Sequence, residues 1–434
     1  MKYNRLTENQ LYSIPVERRK AIPFFLLYAP LKGLVYLVSE LQLEILEKDL
    51  FNGKDFYDEY LNHIQKTLIT KKEKPVFSTK SIDDIQNLML LPNNICNFKC
   101  SYCYAAEGRS NKVISIDKLK AGIKYFFNPT RAIGNRLSIS VLGGGEPLLS
   151  WPLIKSALEY AILLNKDRGN TNLPISIVTN GSLLSDDMVA FCKTNEVSVS
   201  VTFEILKRIQ NLQRGSYENV VENINALTAR GVDVAINSVI TKNNVDLMPE
   251  MIKDACTTIS GVKKMAFNPI MDSDYFDDTE DSILFYKKYV DKFFEAFKLA
   301  KERNIYLTCT FLNSFYCVTD RYCPGKFVIT SEGTISICYF VSSSKDKFYQ
   351  SFIYGDINER NEVMVDRNKF LDIIDSSGKT EECEKCSAKW HCNGGCFVNN
   401  KLFTRENKAV YCQTMKEFLK RMLLGKIASG MNEI

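Results

Sequence analysis

The sequence predicts an α/β protein with a central parallel sheet, a small strand-and-helix unit before it, and a loop-rich, cysteine-rich segment after it. Six strand-like runs alternate with amphipathic segments between residues 86 and 310. Strand–helix units in series form a parallel sheet with outer helices, and right-handed crossovers favour an open barrel or a doubly wound sheet. The composition, 45% hydrophobic and 25% charged, is that of an ordinary globular protein.

The central elements follow from hydrophobic periodicity. The apolar, β-branched runs predict strands at 88–91, 137–142, 175–179, 197–203, 232–240 and 264–269. Apolar residues at helical spacing predict helices at 115–127, 151–168, 186–193, 217–229, 248–258 and 282–303. In a parallel sheet of this kind, the loops at the carboxyl ends of the strands hold the chemistry.

The two flanking segments have different patterns. In residues 1–85, apolar runs at 24–28 and 34–38 surround Pro30 and Gly33, which predicts a hairpin followed by helices and a lysine-rich linker at 71–75. Residues 311–434 combine loops, short strands and eight cysteines before a helical tail. Such a segment has too little apolar core and would need metal to hold it together.

Composition excludes several classes of protein. With only two histidines, His-rich metal sites and most His-based triads are excluded. The polar start lacks a secretion signal, which predicts a cytoplasmic location where the 14 cysteines bind metal rather than form disulfides. No apolar run approaches 18 residues, and a net charge of +5 is too weak and scattered to indicate nucleic acid or a membrane as partner.

A first cysteine cluster follows the first predicted strand. Cys96, Cys100 and Cys103 have C-x3-C-x2-C spacing, so three thiolates can surround one metal centre. Thiolates suit zinc or iron–sulfur. A structural zinc site needs four ligands, and no fourth Cys or His lies nearby in the sequence. An iron–sulfur cube held by three cysteines has one iron open, although three unlinked cysteines in a loop are also possible.

A glycine-rich turn follows the second predicted strand. Gly143, Gly144 and Gly145 would let the backbone approach a ligand closely, and Glu146 could accept a hydrogen bond from an ammonium group. Alone, such a turn is weak evidence. Its place one strand after the cysteine loop makes it a strong indication of a ligand site.

These motifs, with the aromatic Tyr102 before the last cysteine, resemble the radical S-adenosylmethionine (SAM) superfamily. The resemblance implies a partial (β/α)6 barrel in which a [4Fe–4S] cluster on the catalytic Cys96, Cys100 and Cys103 binds SAM and cleaves it to methionine and a 5'-deoxyadenosyl radical. The implied cofactor-binding residues are Tyr102, Gly143, Gly144, Gly145, Glu146, Asn180, Ser200 and Arg214.

The match is imperfect at three positions. Asn180 lies in Thr179-Asn180-Gly181, where a tight turn is an equally good interpretation. After Ser200, Thr202 and Phe203 stand where relatives have Asp and Gly, and Arg214 is one residue from the usual spacing of the arginine that meets the SAM carboxylate.

The C-terminal cysteines have the spacing C-x9-G-x4-C, then C-x2-C-x5-C-x3-C, then C. This resembles the SPASM extension of radical SAM enzymes that modify peptides and proteins. The resemblance implies two auxiliary [4Fe–4S] clusters, three in all. Cluster I would use Cys317, Cys323, Cys338 and Cys396, and cluster II would use Cys383, Cys386, Cys392 and Cys412. Two zinc ribbons are the alternative interpretation.

The resemblance implies an oxidoreductase acting on a ribosomal precursor peptide, with a leader-recognition-like domain at 1–85, the barrel at 86–310, and the SPASM domain at 311–434. It also implies an electron donor such as flavodoxin or ferredoxin. The expected product is a thioether or carbon–carbon cross-link. Alternatives are a sulfatase-maturing enzyme, a peptide epimerase and a non-enzymatic electron carrier. Cys309 could donate hydrogen to a substrate radical, although a buried structural cysteine is the default.

Overall fold

A computed structural model describes residues 4–19, 22–53, 55–129, 137–271, 273–376 and 378–430. The extreme ends of the two predicted flanking domains, residues 1–3 and 431–434, lie outside these ranges. The strands are β1 (Tyr12–Arg19), β2 (Ile22–Ala29), β3 (Leu34–Ser39), β4 (Asn87–Leu90), β5 (Ser138–Val141), β6 (Ile175–Thr179), β7 (Ser198–Thr202), β8 (Val234–Ile240), β9 (Lys264–Pro269), β10 (Tyr306–Thr308), β11 (Phe327–Ile329), β12 (Thr334–Ser336), β13 (Ile353–Ile357) and β14 (Val363–Val365).

The helices lie between these strands and in the C-terminal segment. They are α1 (Asn4–Glu8), α2 (Glu40–Asp49), α3 (Glu59–Thr70), α4 (Ile116–Phe126), α5 (Trp151–Asp167), α6 (Asp186–Thr194), α7 (Lys207–Gln213), α8 (Tyr217–Ala229), α9 (Met248–Thr258), α10 (Thr279–Glu302), α11 (Thr310–Phe315), α12 (Tyr349–Phe352), α13 (Arg367–Asp375), α14 (Glu381–Glu384), α15 (Lys389–Cys392), α16 (Phe397–Leu402) and α17 (Arg405–Ala428). Among the described residues, no helix has both the length and the apolarity needed to cross a bilayer.

The strands form two sheets. The first is antiparallel, in the order β1-β2-β3, and the second has 11 strands in the order β10-β9-β8-β7-β6-β5-β4-β11-β12-β13-β14. Strands β4 to β9, the six that the alternation predicts, are parallel and stand in chain order, and β10 adds a seventh parallel strand beside β9 that was not predicted. Strand β11 also pairs with β4 in parallel, while β12, β13 and β14 continue antiparallel.

The parallel strands have one apolar and one polar face. Val199 and Val201 of β7 are buried in the same core cluster as Val220 and Ile224 of α8. The alternate residues of β5 and β7 are serine and threonine, half-buried on the opposite face, where Ser176 Oγ of β6 donates to Ser140 Oγ at 3.0 Å. A period of two in a parallel sheet shows that only one face is covered by apolar packing.

Side-chain caps set where the outer helices begin. Ser115 accepts from the Lys118 backbone N–H at the start of α4, and Ser185 accepts from Met188 at the start of α6. Each cap satisfies one of the N–H groups that a helix leaves unpaired and stabilises the helix by about 1 kcal/mol. These helices therefore begin within one residue of their predicted positions.

The N-terminal unit is joined to the rest of the chain by bonded segments. At the predicted linker, Lys74 N donates to Leu31 O at 2.6 Å, which holds the linker against the N-terminal unit. Three residues later, Phe77 N donates to Val318 O at 3.0 Å. The segment after the linker therefore lies along the C-terminal, cysteine-rich region rather than hanging free.

Candidate active site

The first cysteine loop lies at the carboxyl end of β4. Cys96, Cys100 and Cys103 are all partly exposed. Phe98 N donates to Cys96 Sγ and Arg109 Nη2 donates to Cys103 Sγ, both at 3.4 Å. Burial raises the pKa of the Cys100 thiol, as do the neighbouring thiols of Cys103 and Cys96, while the charge of Arg214 opposes them. The three predicted ligands therefore lie close enough within one loop for their charges to interact.

The glycine turn after β5 packs directly on this loop. A Cβ at Gly145 would lie 2.0 Å from Ile95 O, the carbonyl just before Cys96. A Cβ at Gly144 would lie 2.5 Å from Asn94 Oδ1 and 2.5 Å from Ser342 Oγ. Any side chain would force the backbones apart, so these glycines are required by the close approach of the two loops.

Glu146 is buried and faces three donors of the protein itself. Its carboxylate accepts from Leu148 N at 3.0 Å, from Thr179 Oγ1 at 2.7 Å and from Asn180 N at 2.7 Å. Burial raises the pKa of Glu146 and these hydrogen bonds oppose the rise. A carboxylate has about four acceptor positions. One therefore remains for a ligand, and the two bonds from Thr179 and Asn180 join the ends of β5 and β6.

Asn180 and Ser200 have different surroundings. Asn180 Nδ2 donates to Asn97 Oδ1 at 2.8 Å, so the turn after β6 is bonded to the first cysteine loop. Ser200 lies half-buried on the polar face of β7, opposite Val178 and Ala235 in the neighbouring strands. Asn180 therefore contacts the first cysteine loop, whereas Ser200 lies on the polar face of the sheet in β7, the strand next to β6.

Tyr102, Arg214 and Glu204 form a buried polar cluster beside the first cysteine loop. The Tyr102 hydroxyl donates to Glu204 Oε1, and Arg214 Nη1 donates to the Tyr102 oxygen at 3.0 Å. Glu204 is fully buried, and Asn244 Nδ2 donates to its second oxygen at 3.3 Å. Burial raises the pKa of Glu204 to about 7, against the opposing charge of Arg214.

Sequence reasoning missed Glu204. It follows β7 directly, in the stretch Thr202-Phe203-Glu204 that departs from the pattern of relatives, so a carboxylate two residues after the expected aspartate was the available signal. Asn94 was also missed. It is fully buried, and neither its Oδ1 nor its Nδ2 has a hydrogen-bond partner within the described part of the chain. An unsatisfied amide beside Gly144 suits a polar ligand in this cradle.

The C-terminal cysteines fall into two neighbouring groups. Burial raises the pKa of the Cys338 thiol, and the nearby thiols of Cys396 and Cys323 add to the rise. Burial likewise raises the pKa of Cys392 to about 12, with contributions from Cys412, Cys386 and Cys383. The four thiols implied for cluster II are thus neighbours, as are three of the four implied for cluster I, and Cys317 is the fourth.

Cys317 is exposed and is attached to the second group's loop through its backbone. His391 Nδ1 lies 2.8 Å from Cys317 O, and burial lowers the pKa of this histidine. A small cavity is lined by cysteines of both groups, Cys396 of the first and Cys392 and Cys412 of the second. Buried free thiols hold their protons, so metal binding would have to displace them.

The thiols of each group are neighbours but do not converge on a point. Within the ranges that the structure describes, no three His, Cys, Asp or Glu side chains lie close enough to share one metal ion. Cys309 lies elsewhere: it is fully buried at the start of α11, where its Sγ accepts from Leu312 N at 3.4 Å, and burial raises the pKa of its thiol to about 12. These contacts favour the structural interpretation of Cys309.

An aromatic group connects the two halves of the site. The Tyr104 ring, directly after Cys103, lies 4.4 Å from the Phe340 ring and 6.2 Å from the Tyr339 ring, centroid to centroid. Tyr339 follows Cys338, and Tyr104 OH donates to Gly143 O at 3.0 Å. The first cysteine loop and the Cys338 loop are therefore in direct contact.

Comparison with known families identifies the class of protein. Residues 90–255 match the model of the Radical SAM superfamily, so this part of the chain is a radical SAM domain, as predicted. Three relatives are an uncharacterized protein from Methanocaldococcus jannaschii, a cysteine-type anaerobic sulfatase-maturating enzyme from Clostridium novyi, and the radical SAM cyclopropyl synthase TigE from Paramaledivibacter caminithermalis.

The relatives differ in how much of each chain is matched. The first is 27% identical over 193 residues, 43% of this chain and 63% of its own length, which is under two thirds. The Clostridium novyi enzyme is 23% identical over 75% of this chain and 92% of its own. TigE is 22% identical over 83% of this chain and 76% of its own.

Two solved structures share the fold. Native anSMEcpe with bound AdoMet matches with a TM-score of 0.62 and 23% identity, over 80% of this chain and 100% of its own. Streptococcus suis SuiB bound to S-adenosylmethionine matches with a TM-score of 0.54 and 16% identity, over 90% of this chain and 97% of its own. Both have a C-terminal SPASM domain, and the predicted radical SAM α/β fold is confirmed.

Proposed function

We propose that this chain is a radical SAM maturase of the SPASM kind that installs a thioether or carbon–carbon cross-link in a ribosomally made precursor peptide. The observation that carries the proposal is the contact of the Cys96–Cys103 loop with the Gly143–Glu146 turn. It brings three thiols, a backbone cradle and a buried carboxylate together at the carboxyl ends of parallel strands. This donor set fits a [4Fe–4S] cluster with bound SAM.

When bound, the cluster and SAM supply a 5'-deoxyadenosyl radical able to take hydrogen from an unactivated carbon. The residues of the chain bind and orient. Cys96, Cys100 and Cys103 would hold the iron. The free lone pair of Glu146 and the unsatisfied amide of Asn94 would meet polar groups of SAM, and the buried Tyr102–Glu204 pair holds the aromatic ring in place.

Two auxiliary clusters on the C-terminal cysteines complete the proposal. They would accept the electron released as a cross-link closes, and an external donor such as flavodoxin or ferredoxin would supply the electron for SAM cleavage. Contact between the Tyr104 ring and the Phe340 ring supports this role, because it brings the loops of Cys103 and Cys338 together. Free thiols persist in the reducing cytoplasm, where we place the protein.

The N-terminal unit favours a peptide with a leader as substrate. It is a three-stranded antiparallel sheet with helices α2 and α3, a unit whose edge could accept an extended peptide as a fourth strand. SuiB, whose solved structures include one bound to precursor peptide SuiA, covers 90% of this chain. The match to anSMEcpe spans the whole of that protein but only 80% of this chain.

A sulfatase-maturing activity is the second candidate, because the Clostridium novyi sulfatase-maturating enzyme matches over 92% of its own length. Mass spectrometry separates the candidates. A short peptide encoded beside this gene is co-expressed with the chain under anaerobic conditions, and its mass is measured. A cross-link removes about two hydrogens, roughly 2 Da, and epimerisation removes none. Formylglycine formation from a cysteine of a sulfatase peptide also removes two hydrogens, and in addition it replaces the sulfur with oxygen.

A further inference from the structure

A buried contact joins the N-terminal unit to the short helix α15, which carries His391 directly before Cys392. Tyr28 lies in the central strand β2 and is 1% exposed. Its hydroxyl oxygen is 2.5 Å from His391 Nε2, and the two rings stack with their centroids 6.0 Å apart. Contacts this well buried between residues so distant in sequence fix the two regions relative to each other.

The other nitrogen of His391 faces the main chain at Cys317. Nδ1 lies 2.8 Å from Cys317 O and 3.2 Å from Ser314 O. Because carbonyl oxygens only accept, Nδ1 must hold the hydrogen, and Nε2 of the neutral ring must accept from Tyr28. The direction of the chain of bonds is therefore set: Tyr28 donates to His391, and His391 donates to Cys317.

A second contact joins the N-terminal unit to the same helix, α15. Gln10 Oε1 accepts from Trp390 Nε1 at 2.8 Å and from the Tyr12 hydroxyl at 3.0 Å. In addition, the main chain of Trp390 is bonded to the segment of Cys317, since Thr319 N donates to Trp390 O at 3.0 Å. The N-terminal unit therefore contacts α15 through both Trp390 and His391.

We infer that Tyr28 and His391 are positioning residues that hold the main chain of Cys317, so that its thiol can ligate auxiliary cluster I. The inference rests on the proposed function. Cys317 is the exposed member of the eight C-terminal cysteines, while the other seven are buried or half-buried. A thiol on an exposed segment gains little order from packing, so the hydrogen bond to its carbonyl restricts the backbone instead.

The test measures the release of iron from the auxiliary clusters alone. Cys96, Cys100 and Cys103 are changed to Ala, which should leave about eight iron per chain. Iron release to a chelator is followed in this background by absorbance and by EPR of the reduced clusters. Tyr28→Phe and His391→Gln should release about half of that iron roughly tenfold faster, because loss of an outer-shell partner weakens metal binding by 10–100-fold.

Two further variants decide the interpretation. His391→Asn places an amide donor near the position of Nδ1, so it should retain iron better than His391→Gln. Tyr286→Phe is the matched control, since Tyr286 is a buried tyrosine that donates to Ile270 O at 3.2 Å, and its loss should leave iron release unchanged.

Equal release from Tyr28→Phe, His391→Gln and the unaltered background would overturn the inference, and so would a Tyr286→Phe protein as labile as Tyr28→Phe. Should His391→Gln fail to fold, Tyr28→Phe, which removes one oxygen atom, still gives the answer. A background protein that takes up no iron would instead contradict the auxiliary clusters themselves, and with them the proposed function.

Discussion

The Tyr102 hydroxyl, between two cysteines of the first loop, donates to the buried carboxylate of Glu204 after β7. This bond joins the cysteine loop to the far side of the site, and Arg214 Nη1 completes the cluster at 3.0 Å from the Tyr102 oxygen. Glu204 is the carboxylate of this stretch and directly follows Thr202 and Phe203 at the end of β7. Burial of the Glu204 carboxyl group has measurable consequences for the stability of the protein.

Stability of the metal-free chain should fall as pH rises from about 4.5 to about 7. Burial raises the pKa of Glu204 to about 7 from the ordinary 4.5. Between these two pH values the native state therefore binds more protons than the unfolded state. The resulting contribution of Glu204 to the free energy of unfolding is fully present below about pH 4.5 and is lost as the pH rises to about 7. Its size is about 3 kcal/mol. Thermal unfolding of wild type and Glu204→Gln at several pH values measures it, and parallel curves would contradict the prediction.

Changing Cys96, Cys100 and Cys103 together to Ala should remove about four of about twelve iron atoms and abolish SAM cleavage. The three thiols surround one loop, so their loss leaves the C-terminal groups intact. Iron analysis after anaerobic reconstitution and an assay of 5'-deoxyadenosine check this outcome. Production of 5'-deoxyadenosine by the triple variant would refute the assignment of this loop as the SAM-cluster site.

Glu146→Ala should keep all iron but weaken SAM binding, because the lost contact is to SAM and not to metal. The variant should also be less stable by about 1–3 kcal/mol, since it strands the buried N–H groups of Leu148 and Asn180. Glu146→Gln, which keeps an oxygen acceptor, separates the two effects. Equilibrium dialysis with SAM measures the first and thermal unfolding the second. Unchanged SAM affinity in both variants would remove Glu146 from the ligand site.

Cys412→Ala should still allow SAM cleavage yet block product formation, because Cys412 belongs to α17 and not to the first cysteine loop. The measurement compares 5'-deoxyadenosine with modified peptide in one reaction. Cys256→Ser is a control, since that thiol is bonded to Ile252 O at 3.2 Å within α9. Full product formation by the Cys412 variant would contradict a redox role for cluster II.

Removing two exposed aromatic side chains of the N-terminal unit should weaken binding of full-length precursor. Tyr57 is fully exposed, and Tyr60, three residues later, donates to the Leu37 carbonyl of β3 at 3.1 Å. The Tyr57→Ser, Tyr60→Ser variant should lose about tenfold in affinity through lost apolar burial. Iron content should not change. Tyr306→Ser, at an exposed tyrosine of β10, is the control.

Deletion of residues 1–85 would be a poorer test of leader binding. The predicted linker would let this unit move freely, but Tyr28 and Gln10 bind His391 and Trp390 of α15. Truncation would remove these contacts and leave the His391 ring buried without its donor. Loss of activity on truncation would then have two causes, whereas the tyrosine variants leave the contacts of Tyr28 and Gln10 in place.

The sequence by itself determined the features that depend on local spacing. Hydrophobic periodicity placed the six central strands within about two residues, for example 88–91 against the observed Asn87–Leu90. The first cysteine loop needs only eight consecutive residues to bring its thiols together, and the glycine turn is recognisable because only glycine permits such close backbone approach. Local sterics and hydrophobic patterning are encoded over a few residues, which is why a linear reading finds them.

Only the tertiary structure decided which distant residues meet. Strand β11 pairs with β4, and the sheet continues into the cysteine-rich segment, although three-residue strands leave almost no periodic signal. Tyr102 and Glu204 are 102 positions apart, and Tyr28 and His391 are 363 apart. A tyrosine, a glutamate or a histidine has no pattern that names its partner, because a buried hydrogen bond depends on where complete elements pack and not on the residues beside it in the chain.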